Sequence, residues 1–236
     1  MRKVRPQDVY EAFSDQIDAS LSHYHRVVSS LKNTPKETLD TSNMARMVMH
    51  SMFVDYECFL SDLFIAYLNR DFSQYHSKLI NSVRASAADK HSAWLSSRIL
   101  FDLPTHMKLE DIADAIDPTG WNLTFKTSKV MMDKARDWLV DPYKSKVLSM
   151  NSEDEALVDT ARAIRNRIAH QSEGAGRIMN YMLEKVEAAG ANNVGLGRID
   201  NKVTNIGSFL KTTINGKTRV ELYGKRLKDV ANNLTI

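Results

Sequence analysis

Between Ser42 and Arg70 the chain carries Met44, Met47, Val48, Met49, Met52, Phe53, Val54, Phe59, Leu60, Leu63, Phe64, Ile65 and Leu68. Placed on a helix, these side chains cover almost every side, and a helix that is apolar all round belongs at the centre of a bundle. Ser42 is expected to cap it. Its methionines read as gap-filling core side chains, not as a cofactor box. Asp55, Glu57 and Asp62 interrupt the run. A carboxylate in the middle of a buried helix needs a partner, because an unpaired buried charge is costly.

The rest of the chain supplies helices to surround it. From Pro6 to Lys32, Val9, Phe13, Ile17, Leu21, Tyr24, Val28 and Leu31 recur at three-four spacing, and Pro6 suits a first helical turn. Helices are expected over 71–88, 90–103, 106–116, 128–140 and 175–189. Breaks fall at Pro35, Pro104, Asp117-Pro118-Thr119-Gly120 and Asp141-Pro142. Residues 121–126 are ambiguous and 143–151 read as a connector. Gly190 suits the position after a helix end. Residues 191–216 read as loop or extended chain. Asn215-Gly216 could turn a hairpin between 209–214 and 218–222, but the spacing of Val220, Tyr223, Leu227, Val230 and Leu234 favours a final helix from Thr218. With 43% hydrophobic and 26% charged residues over 236 positions, this reads as one all-α domain.

Several chemistries are excluded or weakened. Cys58 is the one cysteine, so neither an internal disulfide nor a Cys-based zinc site is expected; it reads as a small buried hydrophobe. No His-Glu-x-x-His or Asp-x-Asp cluster suggests a metal, and no cofactor motif is present. Gly195-Leu196-Gly197 lacks the context of a phosphate loop. His23 and His25 do not share a helix face. Trp94, Trp121 and Trp138 read as core anchors, although Trp121, after a turn, could be exposed to stack on a base. No apolar run reaches the roughly 18 residues of a membrane span, so no membrane partner is expected. The basic start has no apolar segment behind it, which points to the cytoplasm. Net charge is only +3. Basic residues thicken late, at Arg198, Lys202, Lys211, Lys217, Arg219, Lys225, Arg226 and Lys228. They form either a solvated face or an RNA-facing surface.

The densest polar pattern lies between Ser152 and Gly176. Ser152 and Glu155 match a capping box, and Glu153, Asp154 and Glu155 complement the helix dipole. Leu157, Ala161, Ile164 and Ile168 form one core-facing stripe. On that wheel Asn166 points away from the core. His170 follows one turn later on the same side, and Arg162 precedes by one turn. Arg165 and Arg167 flank the stripe. Gly174 and Gly176 are expected to stop the helix, leaving His170 in its last turn.

Arg165-Asn166-Arg167-Ile168-Ala169-His170 resembles the R-x4-6-H motif of HEPN domains, with the polar residue that commonly follows the arginine present as Asn166. The run from Val54 to Phe64 resembles the second helix of HEPN domains associated with RNase-like toxins, which often carries an acidic residue facing the motif helix; Glu57 is the candidate. The resemblance covers the helices around 1–88 and 125–190. It implies a HEPN-like helical bundle, with 90–123 as an inserted helical segment and 191–236 as a C-terminal extension. It also implies a metal-independent endoribonuclease without a cofactor, acting on an RNA substrate and leaving 2′,3′-cyclic phosphate ends. In such a site Arg165 would hold phosphate, His170 transfer protons, Asn166 position, and Glu57 orient Arg165 or His170. The site would be composite, formed at a homodimer interface. Family settings imply a toxin or anti-phage defence effector, with an antitoxin or regulatory protein as a further partner. The alternatives are a non-catalytic HEPN-like module that dimerises or binds a nucleotide or partner, and a plain helical scaffold with an accidental motif.

Overall fold

The computed structural model describes residues 3–100, 102, 107–120 and 123–236. Among them the protein is all-α: eleven α-helices and one two-stranded hairpin. In chain order the helices are α1 (Pro6–Leu31), α2 (Glu37–Arg70), α3 (Ser73–Lys90), α4 (Ala93–Ser96), α5 (Leu109–Ile116), α6 (Ser128–Trp138), α7 (Tyr143–Leu148), α8 (Ser152–His170), α9 (Glu173–Ala188) and α10 (Ile206–Lys211). Strands β1 (Thr213–Ile214) and β2 (Lys217–Thr218) then precede α11 (Arg219–Leu234). No helix among the described residues is long and apolar enough to cross a membrane.

The chain forms two compact units. One comprises Met1–Val9, Leu60–Ser149 and Thr235–Ile236; the other comprises Tyr10–Phe59 and Met150–Leu234.

The first unit is built on aromatic contacts. Phe64 lies against Phe125 and meets the edge of Trp138, and Tyr75 meets Trp138 at 89° between ring planes. Tyr67 stacks on Tyr143. Lys78 of α3 pairs with Asp137 of α6 at 2.8 Å. The helix expected over 106–116 is present as α5, Leu109–Ile116. Three expectations fail in this unit. Among the described residues the helix expected over 90–103 shrinks to α4, capped by the Ser92 hydroxyl, which accepts from Leu95 N–H. Residues 143–151 include a helix, α7. Trp94 is 68% exposed, with the Arg98 guanidinium over its ring, so it anchors no core. Trp138 is buried as expected. Trp121 and the expected stop at Pro104 lie outside the described residues.

The second unit contains most of the buried side chains of α1, α2, α8, α9 and α11. Phe13 stacks on Phe59 at 4.9 Å and meets Tyr56 edge-on, placing α1 against α2. Helix α2 begins at Glu37, five residues before the expected cap. The Ser42 hydroxyl does not cap; it donates to the Thr38 carbonyl one turn back, an alternative open to serine inside a helix. Glu37 and Asp40 supply the negative charge favoured in a first turn.

The segment read as a C-terminal extension is part of this core. Leu196, Leu210, Val220, Tyr223, Leu227 and Val230 are all buried. The Tyr223 hydroxyl donates to the Leu196 carbonyl at 2.8 Å, and Arg226 pairs with buried Asp154 at 2.7 Å. The hairpin and the final helix, offered as rivals by the sequence, coexist. Asn215 (φ 49°) and Gly216 (φ 82°) form a two-residue turn joining Ile214 to Lys217, and α11 starts directly after. The late basic run is largely consumed by structure. Arg198 pairs with Glu184, Lys211 donates to the Thr38 carbonyl, Arg219 to the Gly195 carbonyl, and Lys228 pairs with Asp18. Lys202, Lys217 and Lys225 remain exposed. The glycine pair is occupied as well: the amides of Gly195 and Gly197 donate to the Glu187 carboxylate.

Helix α10 approaches α2 so closely that a Cβ on Gly207 would collide with the Ser42 carbonyl oxygen. Backbone cannot give way as a flexible side chain can. Gly207→Ala should therefore cost about 1–3 kcal/mol of stability, read as a lowered urea midpoint. A midpoint equal to wild type would show that α10 does not lie this close to α2.

Candidate active site

Helix α8 carries the motif, and both its ends are fixed by side chains. At the start Asn151, not Ser152, is the cap: its Oδ1 accepts from the Asp154 amide at 2.8 Å. Asn is as good an N-cap as Ser, and it stands one position earlier. Asn193 donates to the Glu153 carbonyl, and Asp154 takes the Arg226 guanidinium. In the middle the Thr160 hydroxyl donates to the Met182 carbonyl of α9. At the far end His170 is the last helical residue, and Gln171 adopts the left-handed conformation (φ 51°, ψ 11°) that ends α8. Gly174 and Gly176, expected to stop this helix, lie inside α9, whose cap is Ser172. The stop one residue after His170 is made by Gln171.

The stripe of Leu157, Ala161 and Ile164 is fully buried, and Ile168 is half-buried. Val158, Thr160 and Ala163 are also buried. The helix is thus covered over more of its circumference than the stripe alone requires. What remains is a narrow polar strip.

On that strip His170 is exposed, as its place on the wheel implies, and Asn166 is half-buried. Arg162 is not outward. Only 12% of its side chain is exposed, and its guanidinium lies over the Phe53 ring of α2 at 5.5 Å. Helix α2 covers that part of α8.

Glu57 meets the two arginines of this helix. Its Oε2 lies 3.3 Å from Arg165 Nη2, and its Oε1 lies 3.9 Å from Arg162 Nη1. The carboxylate side chain is 14% exposed, so these ion pairs are screened much less than surface ones. Arg165 is held on a second side as well, because its Nη1 donates to Asn166 Oδ1 at 3.0 Å. The structure therefore brings Glu57, Arg165 and Asn166 together. Among the described residues no hydrogen bond or ion pair joins His170 to them; it stands one turn beyond Asn166 at the helix end.

The cluster has more donors than acceptors. Arg162 Nε, Arg165 Nε and the Tyr56 hydroxyl are buried without a hydrogen-bond partner. Burial pushes the Tyr56 phenol far above its ordinary value, against the opposing pull of Arg162, so it remains protonated. Burial also disfavours the charged form of Arg162, while Glu57 and Asp159 support it. Arg165, with 28% of its side chain exposed, is the guanidinium of this group that reaches the surface.

Arg162 and Tyr56 were not among the candidate residues. The signal for Arg162 was present: it stands three residues before Arg165, so one carboxylate on a facing helix can reach both. Among the described residues no group of three or more His, Cys, Asp or Glu side chains is placed to hold a metal ion. Cys58 is half-buried.

Removing Glu57 would leave two guanidiniums facing each other, one of them mostly buried. Breaking a buried pair by deleting one partner is more damaging than the pair's net worth, because the remaining charge loses a partner it was buried with; Asp159 still supports Arg162, which limits the loss. Glu57→Gln should cost about 2–4 kcal/mol and Arg165→Gln less, since Arg162 then keeps its carboxylate. Equal losses in chemical denaturation would show that Glu57 does not compensate Arg162.

Compared with family models, curated proteins and solved structures, the chain matches none of them.

Proposed function

We propose that this protein is a metal-independent endoribonuclease of HEPN type. The observation that carries the reading is the braced arginine: Arg165 is held between Glu57 and Asn166, one turn before an exposed histidine at a helix end. A guanidinium fixed on two sides presents its remaining donors in a set direction, which suits the equatorial oxygens of a phosphate under attack. The exposed imidazole of His170 is open to substrate. Glu57, offered by the sequence as orienter of Arg165 or His170, contacts Arg165 and is assigned to it.

The reaction that fits is transesterification by the RNA itself. The 2′-hydroxyl attacks the adjacent phosphorus, the bond to the 5′-oxygen of the next nucleotide breaks, and a 2′,3′-cyclic phosphate remains. His170 takes the hydroxyl proton as general base. Arg165 offsets the charge that builds on the phosphoryl oxygens. The leaving 5′-oxygen needs a proton, and one chain offers one motif histidine. A second copy, with its motif helix opposite, would supply the acid; a homodimer completes the site. An RNase of this kind suits a toxin or anti-phage effector restrained by an antitoxin or regulatory protein. A second reading, a non-catalytic module that dimerises or binds a nucleotide or partner, draws on one observation: among the described residues no hydrogen bond or ion pair orients His170.

The test is cleavage of RNA by purified protein in EDTA. Wild type should cleave and leave cyclic phosphate ends. His170→Ala and Arg165→Ala should each lose about 10²–10⁴-fold in rate. Cleavage that vanishes with chelator, or survives both substitutions, would remove this mechanism. Binding of RNA without cleavage by wild type would select the second reading. On expression in cells, wild type should arrest growth and His170→Ala should not.

A further inference from the structure

A second arginine pair lies on the other flank of α8, and the proposed cleavage uses neither of its members. Arg167 of α8 and Arg46 of α2 line one cavity of about 260 Å³, together with Gln171, Thr204, Asn205 and Ile206. Among the described residues no carboxylate lines this cavity. Arg46 also lines a wider neighbouring cavity of about 570 Å³, within the usual range of ligand sites. That cavity is lined by both Lys36 and Glu37, and the Glu37 carboxylate is engaged by the Asn33 amide at 2.8 Å.

The state of Arg46 makes this a site in search of an anion. Among the described residues it forms no ion pair, and its Nε is buried without an acceptor. Most other half-buried arginines of this unit meet a carboxylate: Arg162 and Arg165 that of Glu57, Arg226 that of Asp154 and Arg198 that of Glu184. Arg167 gives one donor, Nη1, to the Ser172 carbonyl at 2.8 Å, a neutral acceptor that leaves its charge unmatched. A buried guanidinium donor with neither carboxylate nor carbonyl is costly, and an oxyanion supplies what is missing.

The neighbours suit an oxyanion too. Asn205 Oδ1 is occupied by the Ser208 amide at 3.0 Å, leaving the amide nitrogen to donate. The Thr204 hydroxyl and the Gln171 side chain add further donors. The segment is held in place from behind: Gly207 packs on the Ser42 backbone, one turn before Arg46, and Lys211 donates to the Thr38 carbonyl. We propose that Arg46 and Arg167, with Asn205 and Thr204, form a binding pocket for a phosphate group. The ligand chemistry is a phosphate mono- or diester, from a free mononucleotide or from an RNA strand. Gln171 follows His170 directly and Arg167 precedes it by three residues, so a strand phosphate here would lie beyond the scissile one. The pocket itself does not depend on cleavage.

The test is calorimetric titration of the full chain with inorganic phosphate at constant ionic strength. Saturable binding with a Kd on the order of millimolar or tighter is expected. Arg46→Gln and Arg167→Gln should each weaken it by about tenfold or more. Arg46→Lys should recover part of the loss, and Arg177→Gln, an exposed arginine paired with Glu173, should change nothing. Thermal melting of each variant checks folding, and the Lys variant keeps the comparison open if the Gln variant melts early. Adenosine 5′-monophosphate and a 2′-O-methyl RNA hexamer, which lacks the attacking hydroxyl, separate the two sources. The tighter competitor of phosphate names the ligand, and adenosine should compete with neither. No saturable phosphate binding, or equal affinity in wild type and both Gln variants, overturns the pocket. Because the hexamer cannot be cleaved, this result stands apart from that of the RNase assay.

Discussion

One carboxylate fixes how the motif helix meets the central helix of its unit. Glu57 interrupts an apolar helix, and a charge there is tolerable only if opposite charge comes to it. Arg162 and Arg165, three residues apart on α8, both do so. The apolar stripe of α8 can slide or rotate at modest cost, because dispersion contacts are not directional. An ion pair answered at two points on one helix cannot. The arrangement therefore sets the rotation of α8, and with it the side from which Asn166 and His170 emerge. Arg162 adds contact of a different kind by lying over the Phe53 ring. The same group that settles a buried charge thus aims a functional one.

The fold class was legible because it rests on period and composition. Three-four spacing in α1, α9 and α11 and the all-round apolar character of α2 leave little room for sheet. What was not legible were choices between near-equal local options. Asn151 and Ser152 both cap well, and the better-placed one is used. Ser42 can cap or bond back into a helix, and it bonds back. Gly174 and Gly176 can end a helix, but Gln171 reaches the left-handed region one residue after His170 and ends it first. Trp94 is large and apolar, yet it lies outside the core, because exposure depends on what else packs nearby.

At the site, the resemblance to HEPN domains offered Glu57 as an orienter of Arg165 or His170, and the structure pairs it with Arg165 beside Asn166. Arg162 shares a side of the helical wheel with Asn166, but a wheel knows only one helix. Helix α2 crosses there and turns an outward position into a covered one. The late basic residues are partly covered for the same reason. A linear run of Lys and Arg is a surface only when no carboxylate or carbonyl from distant sequence reaches it, and Asp154, Asp18, Glu184 and the Thr38 carbonyl do.

The position of these arginines carries a further implication. Both the braced Arg165 and the unpaired Arg167 stand in the last two turns of α8, where the unsatisfied carbonyls give a helix partial negative charge. That end repels a phosphate, unlike a helix start, which attracts one. A chain that is to hold RNA or a nucleotide here must override the dipole with side-chain charge. Its cations are accordingly guanidiniums held by other groups: Arg165 by Glu57 and Asn166, and Arg167, through one donor, by the carbonyl of Ser172 at the start of α9.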